Sequence, residues 1–284
     1  MKFKNYLSLI KFSHTIFAMP FALIGYMLGV VYEQRPFDAW TLLAVVLCMV
    51  FARNAAMAFN RYIDAHYDAL NPRTAVREIP AGVIQPRHAL LFTVLNCVLF
   101  VLTTWFINRI CFYLSPVALA VILVYSYTKR FTALCHLVLG IGLSLAPVGA
   151  YLAVTGYFSL LPVLFSLVVF TWVSGFDILY ALQDEDFDRE QQLHSIPAWL
   201  GRRKALMVSI LLHVVTAILL LAIGAIAMLG IWYWLGAGLF IGLLVYQHTL
   251  VKPHDISKVN MAFATTNGIA SVVFAGFVIL SLVL

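Results

Sequence analysis

The sequence predicts an all-α, polytopic membrane protein, a single membrane domain over residues 1–284 with nine transmembrane helices. Three observations carry this. Hydrophobic residues make up 63% of the 284 and charged residues only 11%, whereas soluble domains run at about 45–50% apolar and about 25% charged. The apolar residues fall into nine runs near 14–32, 40–59, 89–107, 110–126, 134–154, 161–180, 205–228, 231–249 and 261–283. A transmembrane helix needs roughly 20 such residues. The runs are continuous rather than strictly alternating, which argues for helices over a transmembrane barrel. A mean hydropathy of +0.96 excludes a water-soluble globule, a disordered chain and a disulfide scaffold.

Each element follows from its composition. Met1 to Lys11 carries three lysines and leads into a full-length apolar run without an A-x-A cleavage site; it reads as an uncleaved interfacial helix before the first span. With nine spans, one side of the membrane receives the N-terminus and the loops after spans 2, 4, 6 and 8. Of the 18 basic residues only Arg35 and Arg109 fall on the other side. The positive-inside bias therefore places those loops in the cytoplasm and the C-terminus outside, as expected for a bacterial inner membrane. The net charge of +6 is scattered through short loops, which argues against a nucleic-acid partner. Cys48, Cys97, Cys111 and Cys135 lie in or beside apolar runs with no C-x-x-C pair and read as packing residues.

The acids are distributed still less evenly. Nine of the 12 lie in two segments: Asp64, Asp68 and Glu78 after span 2, and Asp177, Asp184, Glu185, Asp186, Asp188 and Glu190 at and beyond the end of span 6. Carboxylates at membrane depth are costly and usually functional. Asp64 and Asp68 precede Asp184 and Asp188 by 120 residues, and Ile79-Pro80-Ala81 recurs as Ile196-Pro197-Ala198. This suggests two four-helix units, about 14–126 and 134–249, followed by a ninth helix at 261–283. Such a repeat puts both acidic segments on one membrane face, opposed across a central cavity.

In the first segment Asn60, Asp64 and Asp68 are spaced i, i+4, i+8, one stripe if the segment is a helix. In the second, Asp177, Asp184 and Asp188 again share a face. Like charges at i, i+4 repel, so a cation is needed to offset them. An all-oxygen set of carboxylates and an amide suits Mg²⁺, which keeps waters and binds one or two carboxylates together with substrate phosphates. A lone D-x-x-x-D is weak; two at matching helix ends of a charge-poor chain are much stronger. Arg73, Arg77, Lys129, Arg130 and Arg189 lie around them and suit phosphate, while Arg87, Arg202, Arg203 and Lys204 read as headgroup contacts. His136 and His213 read as packed or hydrogen-bonded within helices, with no metal role, since no H-x-x-H or H-E-x-x-H set occurs.

These motifs resemble those of the UbiA superfamily of intramembrane prenyltransferases. Asn60, Asp64 and Asp68 match its N-x-x-x-D-x-x-x-D, Asp184 and Asp188 its D-x-x-x-D, and Tyr125 and Lys129 its Y-x-x-x-K. Arg73-Thr74 through Arg77-Glu78-Ile79-Pro80-Ala81-Gly82 resembles R-T-x-x-R-P-L-P-x-G, departing at Glu78 and Ile79. Arg53 matches an arginine seven residues before the first motif's Asn. The similarity covers nearly the whole chain and is best to the 4-hydroxybenzoate polyprenyltransferase branch. It implies helices around a central cavity under a cytosolic cap, and Mg²⁺-dependent transfer of a polyprenyl group from its diphosphate to an aromatic acid in ubiquinone- or menaquinone-type biosynthesis.

The residue roles follow from that resemblance together with position. Asn60, Asp64, Asp68, Asp184 and Asp188 are assigned to Mg²⁺ and diphosphate, Arg77 and Lys129 to the phosphates, and Tyr125 and Tyr180 to substrate. Arg53, about two turns before Asn60, is placed to pair with the acceptor carboxylate. Asp177, two turns before Asp184, is placed to accept or orient the phenol. A hydroxynaphthoate acceptor and an ion-coupled transporter are the alternatives. Against the transporter, the acids cluster on one face rather than at the midplane.

Overall fold

The structure, a computed structural model, describes residues 3–10 and 17–284. A short helix α1 (Phe3–Leu9) opens the chain where an interfacial helix is expected. Its Leu9 is buried with Ala58, Ile79, Ile84 and Ala89. Lys2, Lys11 and the start of the first expected span (14–16) lie outside the described residues. The described part of that span is α2 (Met19–Met27), extended as a π-turn to Tyr32.

The remaining helices follow the apolar runs: α3 (Ala39–Ile63), α4 (Ala65–Leu70), α5 (Pro86–Ile107), α6 (Arg109–Thr128), α7 (Cys135–Thr155), α8 (Leu160–Ala181), α9 (Glu185–Glu190), α10 (Ile196–Ile226), α11 (Ile231–Leu250) and α12 (Asn267–Val283). A π-turn at Met261–Thr266 leads into α12. Seven helical stretches among the described residues are long and apolar enough to cross a membrane. The shorter α2 with its π-turn and the 20-residue α11 occupy the other two expected positions.

Caps explain where helices begin. Asp38 accepts from the Trp40 and Thr41 amides, Asn108 from the Cys111 amide and Ser195 from the Ala198 amide, each satisfying donors that an α-helix leaves orphaned at its start. The Ser195 cap explains why α10 starts nine residues before the expected 205. Arg202, Arg203 and Lys204 thus belong to the helix, beyond a break at Gly201, whose φ of 78° only glycine adopts freely.

The core centres on α8. Phe165, Val168, Val169, Trp172, Val173 and Phe176 recur at helical spacing and pack with Phe21, Phe240 and Phe274. The Trp172 indole N–H donates to Asn267 Oδ1 at 2.8 Å, so this buried donor is satisfied. Leu91, Trp105, Leu211, Ile218 and Val245 are all more than half exposed. An apolar surface on that scale belongs against lipid.

Helices in lipid gain no hydrophobic drive from meeting each other, so close packing depends on small residues. Gly25 of α2 lies so close to α7 that a Cβ there would meet the Pro147 carbonyl oxygen at 2.0 Å. At that end of the bundle Glu33 accepts hydrogen bonds from Tyr151 Oη (2.6 Å) and Tyr157 Oη (2.8 Å). These bonds tie the end of α2 to α7 and to the loop entering α8.

Gly25→Ala is expected to lower the melting temperature of the detergent-solubilised protein. Forcing an atom into this approach costs about 1–3 kcal/mol. Gly238→Ala, with nothing within 4 Å of the added carbon, should leave the melting temperature unchanged. Equal behaviour of the two variants would contradict the α2–α7 approach.

Candidate active site

A cavity of about 900 Å³ runs inside the bundle, walled by α3, α5, α6, α7 and α8. Ile107 and Leu152 line its apolar end, and Asp64, Asp68, Asp184 and Lys129 line the other. That size suits a small-molecule site.

The backbone that places the acids departs from one expectation. Neither motif is a single helical stripe. α3 ends at Ile63, Asp64 (φ −89°, ψ 6°) breaks it, and α4 follows. In the second motif α8 passes into a 3₁₀ turn ending at Asp184 (φ −105°, ψ 5°), and α9 follows. In both motifs the first aspartate takes the sparsely populated conformation between helix and strand, where many active-site residues sit. The breaks turn the motifs across the mouth of the cavity.

Every motif carboxylate has basic or amide partners. Asp184 receives a two-pronged Arg73, Nη2 to Oδ2 at 2.6 Å and Nε to Oδ1 at 3.1 Å, with Asn71 Nδ2 at 3.2 Å. Asp68 pairs with Arg77 Nη1 at 2.6 Å and lies 3.9 Å from Arg61 Nη1. Asp64 accepts from Asn60 Nδ2 at 2.9 Å but has its guanidinium, Arg130 Nη2, only at 3.5 Å. Burial, helped by the Asp68 charge and opposed by Arg130 and Lys129, pushes the Asp64 carboxyl up to about 6. It is the acid most in need of a further cation.

Asp188 behaves differently from its assignment. Its side chain is fully buried, with Lys129 Nζ at 2.6 Å and Ser195 Oγ donating at 2.8 Å. It is absent from the cavity wall, so its carboxylate backs Lys129 instead of facing a ligand. Burial works against the Lys129 charge, but Asp188 and Asp184 more than offset it and hold its pKa above the ordinary lysine value.

The other expected site residues come together on one wall-to-wall surface. Arg53, Asn60, Arg77, Tyr125, Asp177 and Tyr180 all line the cavity. Arg53 lies eleven residues before Asp64 on α3, about 16 Å deeper at 1.5 Å per residue. Tyr180 sits at the polar end, where its hydroxyl accepts from Arg73 Nη1 at 3.2 Å. Sequence reasoning gave no role to Arg61, Asn71 or Ser195. Asn71 lies three residues beyond the first motif, and Ser195 stands as a helix cap before Pro197; those were the available signals. Glu78, where the family pattern departs, has a partner of its own in the Ser8 hydroxyl.

Paired acids and bases at one end of an apolar cavity inside a helical bundle mark a membrane-embedded protein with an internal polar site. Residues 18–277 match the profile of the UbiA prenyltransferase family, and the chain belongs to that family. It is a prenyltransferase, and the transporter alternative falls away. A 4-hydroxybenzoate octaprenyltransferase of Aeromonas salmonicida is 33% identical over 85% of this chain and 83% of its own. One from Nitrosospira multiformis is 32% identical over 84% and 82%. Among solved structures, a UbiA homolog from Aeropyrum pernix K1 superposes with a TM-score of 0.85 at 31% identity, covering 94% of this chain and 97% of that one.

Lys129→Met is expected to destabilise the protein because it leaves the buried Asp188 charge uncompensated. Breaking one side of a buried pair costs about 3–5 kcal/mol; with Lys129 about a third exposed, about 1–3 kcal/mol is expected. The double variant Lys129→Met/Asp188→Asn should recover most of the lost melting temperature. No recovery would show that Asp188 is not the partner that matters.

Proposed function

We propose that the protein transfers a polyprenyl group from its diphosphate to a small aromatic acid of the 4-hydroxybenzoate type, with Mg²⁺, in quinone biosynthesis. One observation carries this reading: the cations of the polar end and the deeper Arg53 face a single cavity, spaced for a molecule with a diphosphate at one end and an acceptor acid beside it. The names of the relatives support the acceptor class. A structural neighbour from Archaeoglobus fulgidus, 20% identical with a TM-score of 0.77, is described as bound to DMAPP and Mg²⁺. The distribution of Lys and Arg supports a polar end facing the cytoplasm.

The donor set fits the metal. Asn60, Asp64, Asp68 and Asp184 present only oxygen and amide groups at the polar end. Among the described residues no three histidine, cysteine or acidic side chains are grouped to hold a metal ion by themselves, so phosphate and water would have to complete its shell. Mg²⁺ prefers such open settings, taking one or two carboxylates and completing its shell from phosphate and water. These four residues would hold it, and when bound it would neutralise charge developing on the leaving diphosphate.

The chain's own groups supply the rest. Lys129, Arg77 and Arg73 donate to phosphate oxygens as the allylic carbon–oxygen bond breaks, its electron pair leaving on the diphosphate. A ring carbon activated by the hydroxyl forms the new carbon–carbon bond and then gives its proton to the departed diphosphate or to water, restoring aromaticity. Arg53 pairs with the acceptor carboxylate and Asp177 orients its hydroxyl. Val121, Leu139 and Leu143 line the apolar part of the cavity and keep water from the allylic cation. Asp188 acts through Lys129, which it holds in place. Hydroxynaphthoates carry the same carboxylate and hydroxyl, so both ring systems belong in the test.

Purified protein, Mg²⁺, a short prenyl diphosphate and a panel of hydroxybenzoates and hydroxynaphthoates test the reading; no prenylated product from any pair would overturn it. Asp64→Asn and Asp184→Asn should each lower turnover by ~10²-fold or more, the scale of losing one electrostatic stabiliser. Near-normal turnover of both at saturating Mg²⁺ would remove the motifs from the mechanism.

Arg53→Ala separates the two substrates. It should raise the acceptor KM, or lower kcat if orientation is lost, with little change in the KM for prenyl diphosphate. Unchanged acceptor kinetics would make Arg53 structural and move the acceptor pocket elsewhere.

A further inference from the structure

His136 opens α7, one residue inside the helix start, and keeps only 3% of its surface. Its Nδ1 lies 2.7 Å from Asp177 Oδ2. On the other side of the ring, the backbone N–H of Ile196 donates to Nε2 at 3.3 Å. A backbone amide can only donate, so Nε2 must carry its lone pair. The ring proton then resides on Nδ1 and points at the Asp177 carboxylate. Both nitrogens are engaged, so the ring has no polar atom left for a substrate. Both residues line the cavity, and Asp177 is the more open of the two, keeping 17% of its side-chain surface against 3% for His136.

Resting on the proposed acceptor role of Asp177, we infer that His136 is a positioning residue: its Nδ1–H holds one oxygen of the Asp177 carboxylate so that the other is presented to the acceptor hydroxyl. The logic is that of a carboxylate–histidine pair in which a second bond on the far nitrogen fixes the tautomer. Here the fixing bond comes from Ile196, the first residue of α10. Its neighbour Ser195 holds Asp188, and Asp188 holds Lys129. A continuous chain of hydrogen bonds and one peptide unit therefore joins the acceptor side of the cavity to the phosphate side.

The pairing also explains why a polar ring is tolerated at this depth. A leucine would pack there but would leave Asp177 without its donor. An asparagine is the informative substitution, because its side-chain nitrogen falls near the position of Nδ1 and can still donate to Asp177.

The test compares His136→Leu with His136→Asn in the intact enzyme, varying each substrate in turn. His136→Leu should lower kcat/KM for the aromatic acid by about 10–100-fold, the usual scale for losing a group that orients a reactive one. The KM for prenyl diphosphate should stay within about twofold, and His136→Asn should restore most of the acceptor kinetics. Equal loss in both variants, an equal effect on both substrates, or no effect of His136→Leu would each overturn the inference. A second measurement uses the unmutated protein: ¹⁵N spectra of histidine-labelled enzyme, assigned by difference against His136→Asn, should show His136 protonated at Nδ1 and bare at Nε2. The reverse tautomer would overturn it even if His136→Leu does not fold. Failure of wild-type protein to prenylate any aromatic acid is a separate result, which overturns the proposed function instead.

Discussion

Charge buried at one end of an apolar cavity is the constraint around which this protein is arranged. An unpaired ion in such a setting costs several kcal/mol, so each motif acid is matched by a cation from elsewhere in the chain. Arg73 reaches Asp184 across 111 residues, Lys129 reaches Asp188, and Arg130 reaches Asp64. The loop after α4, the end of α6 and the α8–α9 junction are thereby drawn to one place. In lipid the apolar outer faces cannot do this, because they are equally content against acyl chains.

The same matching suits the chemistry proposed for the site. A diphosphate with its metal ions brings both signs of charge together. It can take over the carboxylates and the cations at once, leaving no group stranded in a medium of low dielectric. Asp64 has the weakest partner, a guanidinium at 3.5 Å, and is where an incoming cation gains most. Asp188 is already satisfied by Lys129 and Ser195 and has no such vacancy for a ligand. Aspartates that the two motifs write alike thus stand in different surroundings.

Much of this was legible in the sequence because composition and spacing are direct readings of the lipid environment. Among the described residues the apolar runs correspond to helices within a few residues, apart from α10, whose start was hidden by three basic residues that sit on the helix. The spacing of Asn60, Asp64 and Asp68 identified the polar end. It could not reveal that the helix breaks at Asp64, since an aspartate in bridge conformation leaves no mark in a regular D-x-x-x-D. Partners were the least legible part. Asn71, Ser195 and His136 earn their places through residues 113, 7 and 41 positions away, and no periodicity points to such pairings. His136 in particular has the burial of a packing residue and the bonding of a site residue.

At the opposite end, Glu33 is gripped by the hydroxyls of Tyr151 and Tyr157. A carboxylate clasped by two phenols acts as a rivet through α2, α7 and the turn into α8. Beside it Gly25 lets α2 lie directly on α7. The bundle is therefore pinned by phenol–carboxylate bonds at one rim and held by ion pairs at the other. Its two ends are thus fastened by different means. The rim held by ion pairs is also the one where the helix breaks at Asp64 and Asp184 interrupt the rods.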